Sequence, residues 1–311
     1  MWEGRCYKAP IVALGRTPLA AALVAAVLAT GCADEEPAPP AAPAGGWVDP
    51  AGEEPIIGSL AVNPADGVPW LSTNTGLFRV VEGETEPEQV SGALDTPQGS
   101  GELSEQLVVH FTGPDELLGS GHPAPGQSDL PDVLGLIRSD DAGRTWESVS
   151  ELGRADFHII DGDGERVVGA LFGIPQVLVS ADGGTTWETR STPEPLIDLA
   201  VSPADPARWV ATTANGIFLS VDEGGTWRAI DPKPNVRLAW PEEDALFRID
   251  PGGPVWVSAD GGETWKERGS TGGEPRELTA TSAEELYAAL LDGTVSRSTD
   301  GGETWEELLT P

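Results

Sequence analysis

Beyond its first thirty residues the chain reads as short apolar stretches separated by breaks rich in Gly, Asp and Pro. Stretches such as Gln176-Val177-Leu178-Val179, Gly216-Ile217-Phe218-Leu219 and Pro254-Val255-Trp256-Val257 are the length of a strand, not of a helix. Gly135 to Arg138 and Gly293 to Arg297 have the same character. A second class of run precedes them: Arg166 to Ala170, Arg208 to Thr212, Ala245 to Ile249 and Glu285 to Ala289. A third, more apolar class is typified by Ile197-Asp198-Leu199-Ala200-Val201 and predicts innermost strands. No segment after the leader shows helical periodicity, so the pattern predicts an all-β fold.

Each third run ends in the same octet, S-x-D-x-G-x-T-W. It occurs at Ser139 to Trp146, Ser180 to Trp187, Ser220 to Trp227, Ser258 to Trp265 and Ser298 to Trp305, the serines lying 41, 40, 38 and 40 residues apart. A repeat of that length is one supersecondary unit. The residue types suit a tight turn. Asp141, Asp182, Asp222, Asp260 and Asp300 can accept backbone N–H bonds within it, and glycine supplies a positive φ. Trp146, Trp187, Trp227, Trp265 and Trp305 can bury a broad face between neighbouring units while their N–H groups find acceptors. The octet resembles the Asp-box of the sialidase, or bacterial neuraminidase repeat, superfamily, and the resemblance runs from about residue 56 to residue 311. It implies a β-propeller of four-stranded blades with the box as the turn between third and fourth strands.

An earlier unit lacks its box. Leu60-Ala61-Val62-Asn63-Pro64-Ala65-Asp66 parallels Leu199-Ala200-Val201-Ser202-Pro203-Ala204-Asp205, and Trp70 to Val80 parallels Trp209 to Leu219. One degenerate blade and five complete ones make six. A seventh would have to be assembled from Trp47-Val48 and other leftovers.

The N-terminus has a different character. Arg5, Lys8 and Arg16 precede the apolar run Leu19 to Thr30, which has the length of a signal sequence core and is too short to span a bilayer. It ends in Ala29-Thr30-Gly31-Cys32, which resembles the bacterial lipobox and implies cleavage before an acylated Cys32. The alternative is an ordinary signal peptide and a secreted product. Residues 32–46, rich in Pro and Ala, read as a semi-extended tether of roughly 40 Å. The expected organisation is therefore a leader (1–31), the lipidated cysteine and tether (32–46) and the propeller (47–311), with the folded part starting between Trp47 and Ile56. The expected location is extracytoplasmic.

Composition narrows the partners. With 18 Lys and Arg against 51 Asp and Glu, the formal net charge is −33. That excludes a nucleic-acid partner, which needs a basic face, and leaves the lipid anchor as the only expected membrane attachment. The other cysteine, Cys6, is in the leader, so no disulfide framework exists.

The box carboxylates are structural by this reading, so any chemistry must be sought elsewhere. Sialidase chemistry, as the superfamily has it, uses three arginines, a Tyr nucleophile paired with a Glu, and an Asp acid. Of the two tyrosines here, Tyr7 is in the leader and Tyr287 occupies a core slot shared with Trp209 and Phe247. Phe247-Arg248-Ile249-Asp250 is similar to the superfamily's F-R-I-P motif but stands in the fifth blade and ends differently. Sialidase turnover is not expected. Asp161-Gly162-Asp163-Gly164-Glu165 lacks the full calcium-loop spacing and predicts a hairpin turn.

The second blade is the exception. Gly119 to Leu134 replaces a tight turn between second and third strands with a long insert carrying His122, Ser128, Asp129 and Asp132. In a propeller that turn lies opposite the boxes, and long loops there carry function. Gly121-His122-Pro123, Ser128-Asp129-Leu130-Pro131, Leu134-Gly135-Leu136-Ile137 and Asp156-Phe157-His158 also resemble a narrower set of exported bacterial Asp-box proteins labelled glycosyl hydrolases. Where that set often opens with H-x-H-G, this chain has Ile56-Ile57-Gly58-Ser59. The three histidines, His110, His122 and His158, fall in two adjacent blades.

Three functions follow as expectations. The first is a binding or assembly module for a glycan or a cell-envelope protein, contacted by His122, Ser128, Asp129, Asp132 and His158. The second is a glycoside hydrolase using Asp129 or Asp132 with Asp156 or Asp250, since such enzymes work with two carboxylates. The third is a divalent-metal site around His122 and His158 with Asp129, Asp132 or Asp156. No other cofactor is expected.

Overall fold

In the computed structural model, residues 55–310 are described apart from 85, 91, 104 and 124–128. The leader, Cys32, the tether, the start of the folded part and Ser128 lie outside the described residues.

The apolar stretches become strands that pair in chain order. Blade 1 holds β1 (Ile57–Val62), β2 (Pro69–Thr73), β3 (Gly76–Arg79) and β4 (Glu88–Val90). A hairpin of β5 (Gly92–Thr96) and β6 (Gly99–Leu103) precedes blade 2, which holds β7 (Glu105–Gly113), β8 (Glu116–His122), β9 (Leu136–Ser139) and β10 (Thr145–Ser150). Blade 3 holds β11 (Phe157–Gly162), β12 (Val167–Leu171), β13 (Gln176–Ser180) and β14 (Glu188–Ser191). Blade 4 holds β15 (Asp198–Val201), β16 (Trp209–Thr213), β17 (Gly216–Ser220) and β18 (Arg228–Asp231). Blade 5 holds β19 (Arg237–Glu242), β20 (Ala245–Ile249), β21 (Pro254–Ser258) and β22 (Lys266–Ser270). Blade 6 holds β23 (Pro275–Ala280), β24 (Leu286–Leu290), β25 (Val295–Ser298) and β26 (Glu306–Leu309).

Within every blade the strands pair antiparallel in sequence order. The innermost strands pack one on the next from β1 through β7, β11, β15, β19 and β23, and β23 returns to β1, so six blades close a ring. Blade 2 departs from the expected four strands. The hairpin adds to its outer edge, β5 running parallel to β10 with Leu94 opposite Trp146. The reason is apolar cover: Leu94 and Leu103 share one core with Leu107, Leu130, Leu134 and Trp146.

A side chain stitches each pair of neighbouring blades to backbone. The Ser59 hydroxyl donates to the Leu107 carbonyl and accepts from the Val109 amide. His110 donates to the Gly162 carbonyl at 2.8 Å. Asp161 accepts from the Val201 amide, and Asp198 from the Leu238 amide. Glu242 accepts from the Ala283 amide, and Arg276 donates to the Ile57 carbonyl. These bonds satisfy groups that innermost strands would otherwise leave unpaired.

The five boxes are built alike. In the fourth blade, Asp222 Oδ1 accepts from the Ser220 hydroxyl and the Thr226 amide, each at 2.8 Å, while Oδ2 accepts from the Thr226 hydroxyl. Gly224 has φ +78°, and a Cβ there would lie 2.5 Å from the Trp209 ring. The same bonds recur at Asp300, where the Thr304 hydroxyl and amide hold the carboxyl down to about 2. Box tryptophans pack against the preceding blade, Trp146 beside Trp70 and Leu77, for example. Trp146, Trp187 and Trp305 find N–H acceptors. The N–H groups of Trp227 and Trp265 find none among the described residues, against expectation.

Candidate functional site at the insert-bearing face

Because the strands alternate, the turns between second and third strands and the entries to first strands share one face, opposite the boxes. The insert leaves β8 on that face. Its far limb is anchored by Leu130 and Leu134 in the blade 2 core. Leu134 donates its amide to Gly121, and the Gly153 amide reaches Val133. Gly135 turns the chain into β9 with φ +64°, where a Cβ would stand 2.3 Å from the Ser150 carbonyl oxygen. The hairpin supports the insert from outside: a Cβ on Gly99 would meet the Asp129 carbonyl at 2.9 Å.

This scaffold brings three of the predicted residues together. His122 ends β8, and Asp156 and His158 bracket the buried Phe157 at the start of β11. Phe157 is held by the Ser120 hydroxyl on its amide. His122 Nε2 lies 3.5 Å from Asp156 Oδ1, and His158 Nε2 lies 3.2 Å from Asp156 Oδ2. His122 Nδ1 is 2.7 Å from the Asp132 carbonyl oxygen. A carbonyl only accepts, so Nδ1 carries the proton. The His158 hydrogen bond and the charges of both histidines hold the Asp156 carboxyl below the usual range, against the opposing effect of burial. The His158 ring stacks on Phe172, centroids 4.6 Å apart.

The other candidates are placed differently. The side chains of Asp129 and Asp132 are exposed on the insert, and Asp132 contributes through its carbonyl. Asp250 is far round the ring, in blade 5. Its carboxylate is 3% exposed, with Arg248 Nε at 3.1 Å and Lys233 Nζ at 3.3 Å. Arg248 itself is buried against Asp231 and the Trp265 ring, so the F-R-I-D stretch is blade core. Tyr287 is also core. Burial and the hydrogen bond to Glu285 push its phenol up to about 12, unsuited to a nucleophile. The 161–165 segment is a hairpin turn, with Asp163 accepting from the Glu165 and Arg166 amides.

The central channel opens beside this cluster. Its cavity measures about 320 Å³ and is lined by all six innermost strands. His158 stands on the wall, as do Asp198, Arg237 and Glu277 from blades 4, 5 and 6. Burial pushes Asp198 up to about 6 and Glu277 up to about 7, in spite of Arg237. Sequence reading passed over these three. The available signal was a charged residue at or near the head of an otherwise apolar innermost run.

Exposed apolar side chains from blades 1, 3 and 6 also lie on this face. Phe172 (69% exposed) and Ile174 lie in the turn between β12 and β13, Leu291 in the turn between β24 and β25, and Ile56 at the entry to β1. Among the described residues, Val221 alone of the large exposed apolar residues lies on the box side.

Comparison with known proteins agrees with this architecture. The BNR/Asp-box repeat family model matches residues 256–267 and 296–307. No curated protein sequence matches the chain significantly. Among solved structures, the GH74 xyloglucanase from Xanthomonas campestris is similar at 20% identity and TM-score 0.54, over 84% of this chain and 40% of that one. An ancestral GH74 enzyme is similar at 13% identity and TM-score 0.52, over 81% and 38%. YCF48 bound to D1 peptide is similar at 16% identity and TM-score 0.50, over 82% of each chain. This chain therefore spans well under half of either GH74 enzyme and most of YCF48. At these identities the likeness is one of fold, and with the repeats it makes the protein a six-bladed β-propeller in which five blades carry an Asp-box turn.

Proposed function

We propose that the protein is an extracytoplasmic binding or assembly module, tethered through a lipidated Cys32, that docks a segment of another envelope protein on its insert-bearing face. The observation that carries this reading is that four of the five large apolar side chains exposed among the described residues, Ile56, Phe172, Ile174 and Leu291, fall on that face, Phe172 packed on the channel-wall residue His158. Exposed apolar groups beside fixed polar ones are what a polypeptide ligand needs. YCF48, a ring of similar fold, has been captured with a peptide bound, which supports the reading by analogy of fold alone.

The hydrolase reading has less support. A glycosidase sets two carboxylates about 5–5.5 Å or 6.5–9.5 Å apart across the bond. Here Asp250 is neutralised in blade 5 by two cations, and Asp156 is engaged by two histidines.

Two assays test the proposal together. Affinity capture from envelope extract is expected to recover a protein partner, and Phe172→Asp/Ile174→Asp should reduce recovery by at least about tenfold, the scale of losing a hot spot. Val221→Asp, on the opposite face, should leave recovery unchanged. Turnover of a chromogenic glycoside panel, lost in Asp129→Asn/Asp132→Asn, would overturn the proposal in favour of a hydrolase, and retention of glycans in place of a protein would change its ligand class.

A further inference from the structure

We infer that His122, His158 and Asp156 form a binding site for a divalent transition-metal ion of the zinc class. The inference is independent of the docking proposal.

The first ground is the tautomer of His122. Its Nδ1–H is committed to the Asp132 carbonyl at 2.7 Å. That leaves Nε2 as the nitrogen free to ligate, and it faces Asp156 Oδ1 at 3.5 Å, longer than a good hydrogen bond even when the ring is protonated. A metal ion in place of the Nε2 proton would bond to both atoms. An Nδ1–H held by a backbone carbonyl is also the usual outer-shell support of a metal-ligating histidine.

The second ground is Asp156 itself. Its Oδ1 is closed to solvent and accepts no hydrogen bond among the described residues, with the His122 Nε2 at 3.5 Å only loosely paired to it. A closed-off carboxylate oxygen so weakly satisfied is costly, and a metal ion would bind it directly. The third ground is span. One donor atom from each of the three residues lies within 4.8 Å of the others, close enough for bonds of about 2.0–2.2 Å to a shared ion after small side-chain adjustment.

The donor set selects the metal. Two imidazole nitrogens and one carboxylate suit zinc and its first-row neighbours, whereas calcium and magnesium favour all-oxygen sites. Three protein donors leave a fourth position for water or for a group from a bound partner.

Metal alone is the probe. Calorimetric titration of the metal-stripped full-length protein with Zn²⁺ should show one strong site per chain, and Co²⁺ should give visible ligand-field bands. His122→Asn and His158→Asn should each weaken Zn²⁺ by more than about 100-fold, the upper end of the loss seen when only an outer-shell partner is removed. Both side chains are partly exposed, and near-ultraviolet circular dichroism should confirm that each variant keeps the parent fold. Several weak equivalents unaffected by either substitution would show diffuse binding to the acidic surface and overturn the inference. So would a parent protein that binds no Zn²⁺ and gives no Co²⁺ bands.

Discussion

At the scale of single residues, the ring divides its carboxylates into two kinds. Box acids are held low by hydrogen bonds; Asp300 accepts four, from the Ser298 and Thr304 hydroxyls and the Glu303 and Thr304 amides. Their ionised form stabilises the fold above the unfolded carboxylate value, and that contribution is lost only in strong acid. Glu277 behaves oppositely. Burial in the channel wall raises it to about 7, Arg237 and Arg276 oppose the rise, and Asp198 adds to it. Its folded value exceeds the unfolded value of about 4.3, so the native state binds that proton more tightly. Stability from this group is therefore lost as pH rises from about 4 through about 7. Glu277→Gln is expected to raise the melting temperature at pH 8 and to leave it nearly unchanged at pH 4. Parallel melting curves for the two proteins at every pH would refute the assignment.

At the scale of elements, the insert is an extension of the blade 2 core. Leu134 is fully buried and sits two residues from the Asp132 carbonyl that orients His122. Leu134→Ala should cost about 2–5 kcal/mol, the range for a truncated core leucine, read from denaturant unfolding. The insert should also become the earliest site of proteolysis. A loss below about 1 kcal/mol would mean that the insert rests on the ring without helping to hold it.

The strands, the boxes and the count of six blades were legible because each turn depends on local chemistry, repeated every forty residues or so. Third strands were placed to within one or two residues at each end. The hairpin of β5 and β6 was not legible: Gly92 to Leu103 carries no box, and its parallel pairing depends on a strand more than forty residues later. The meeting of His122 with Asp156 and His158 was only half legible. Their blades were known to be neighbours, but the side-chain geometry depends on Gly135, Gly153 and the Ser120–Phe157 bond, which set where the loops fold back. Asp198, Arg237 and Glu277 went unread because a charge within an apolar run looks like noise until the ring brings three blades together.

At the scale of the whole molecule, the two faces have different duties. One carries the turns that hold blades in shape, and the other carries the insert, the histidine cluster and the exposed apolar groups. Among the described residues the ring closes without exchanging a strand. Every blade comes from one continuous stretch of chain, and the join between blades 6 and 1 consists of side-chain packing, with Tyr287, Val295 and Leu309 against Ile57, Leu71 and Phe78, and the Arg276–Ile57 bond. Which blade comes first is thus a matter of gene order, not of architecture. A circular permutant that links residue 310 to residue 55 and opens the chain between blades 3 and 4, at residues 192–197, cuts no strand pairing. It should melt within about 2–4 °C of the parent, the shift that about 1 kcal/mol produces in a domain of this larger size.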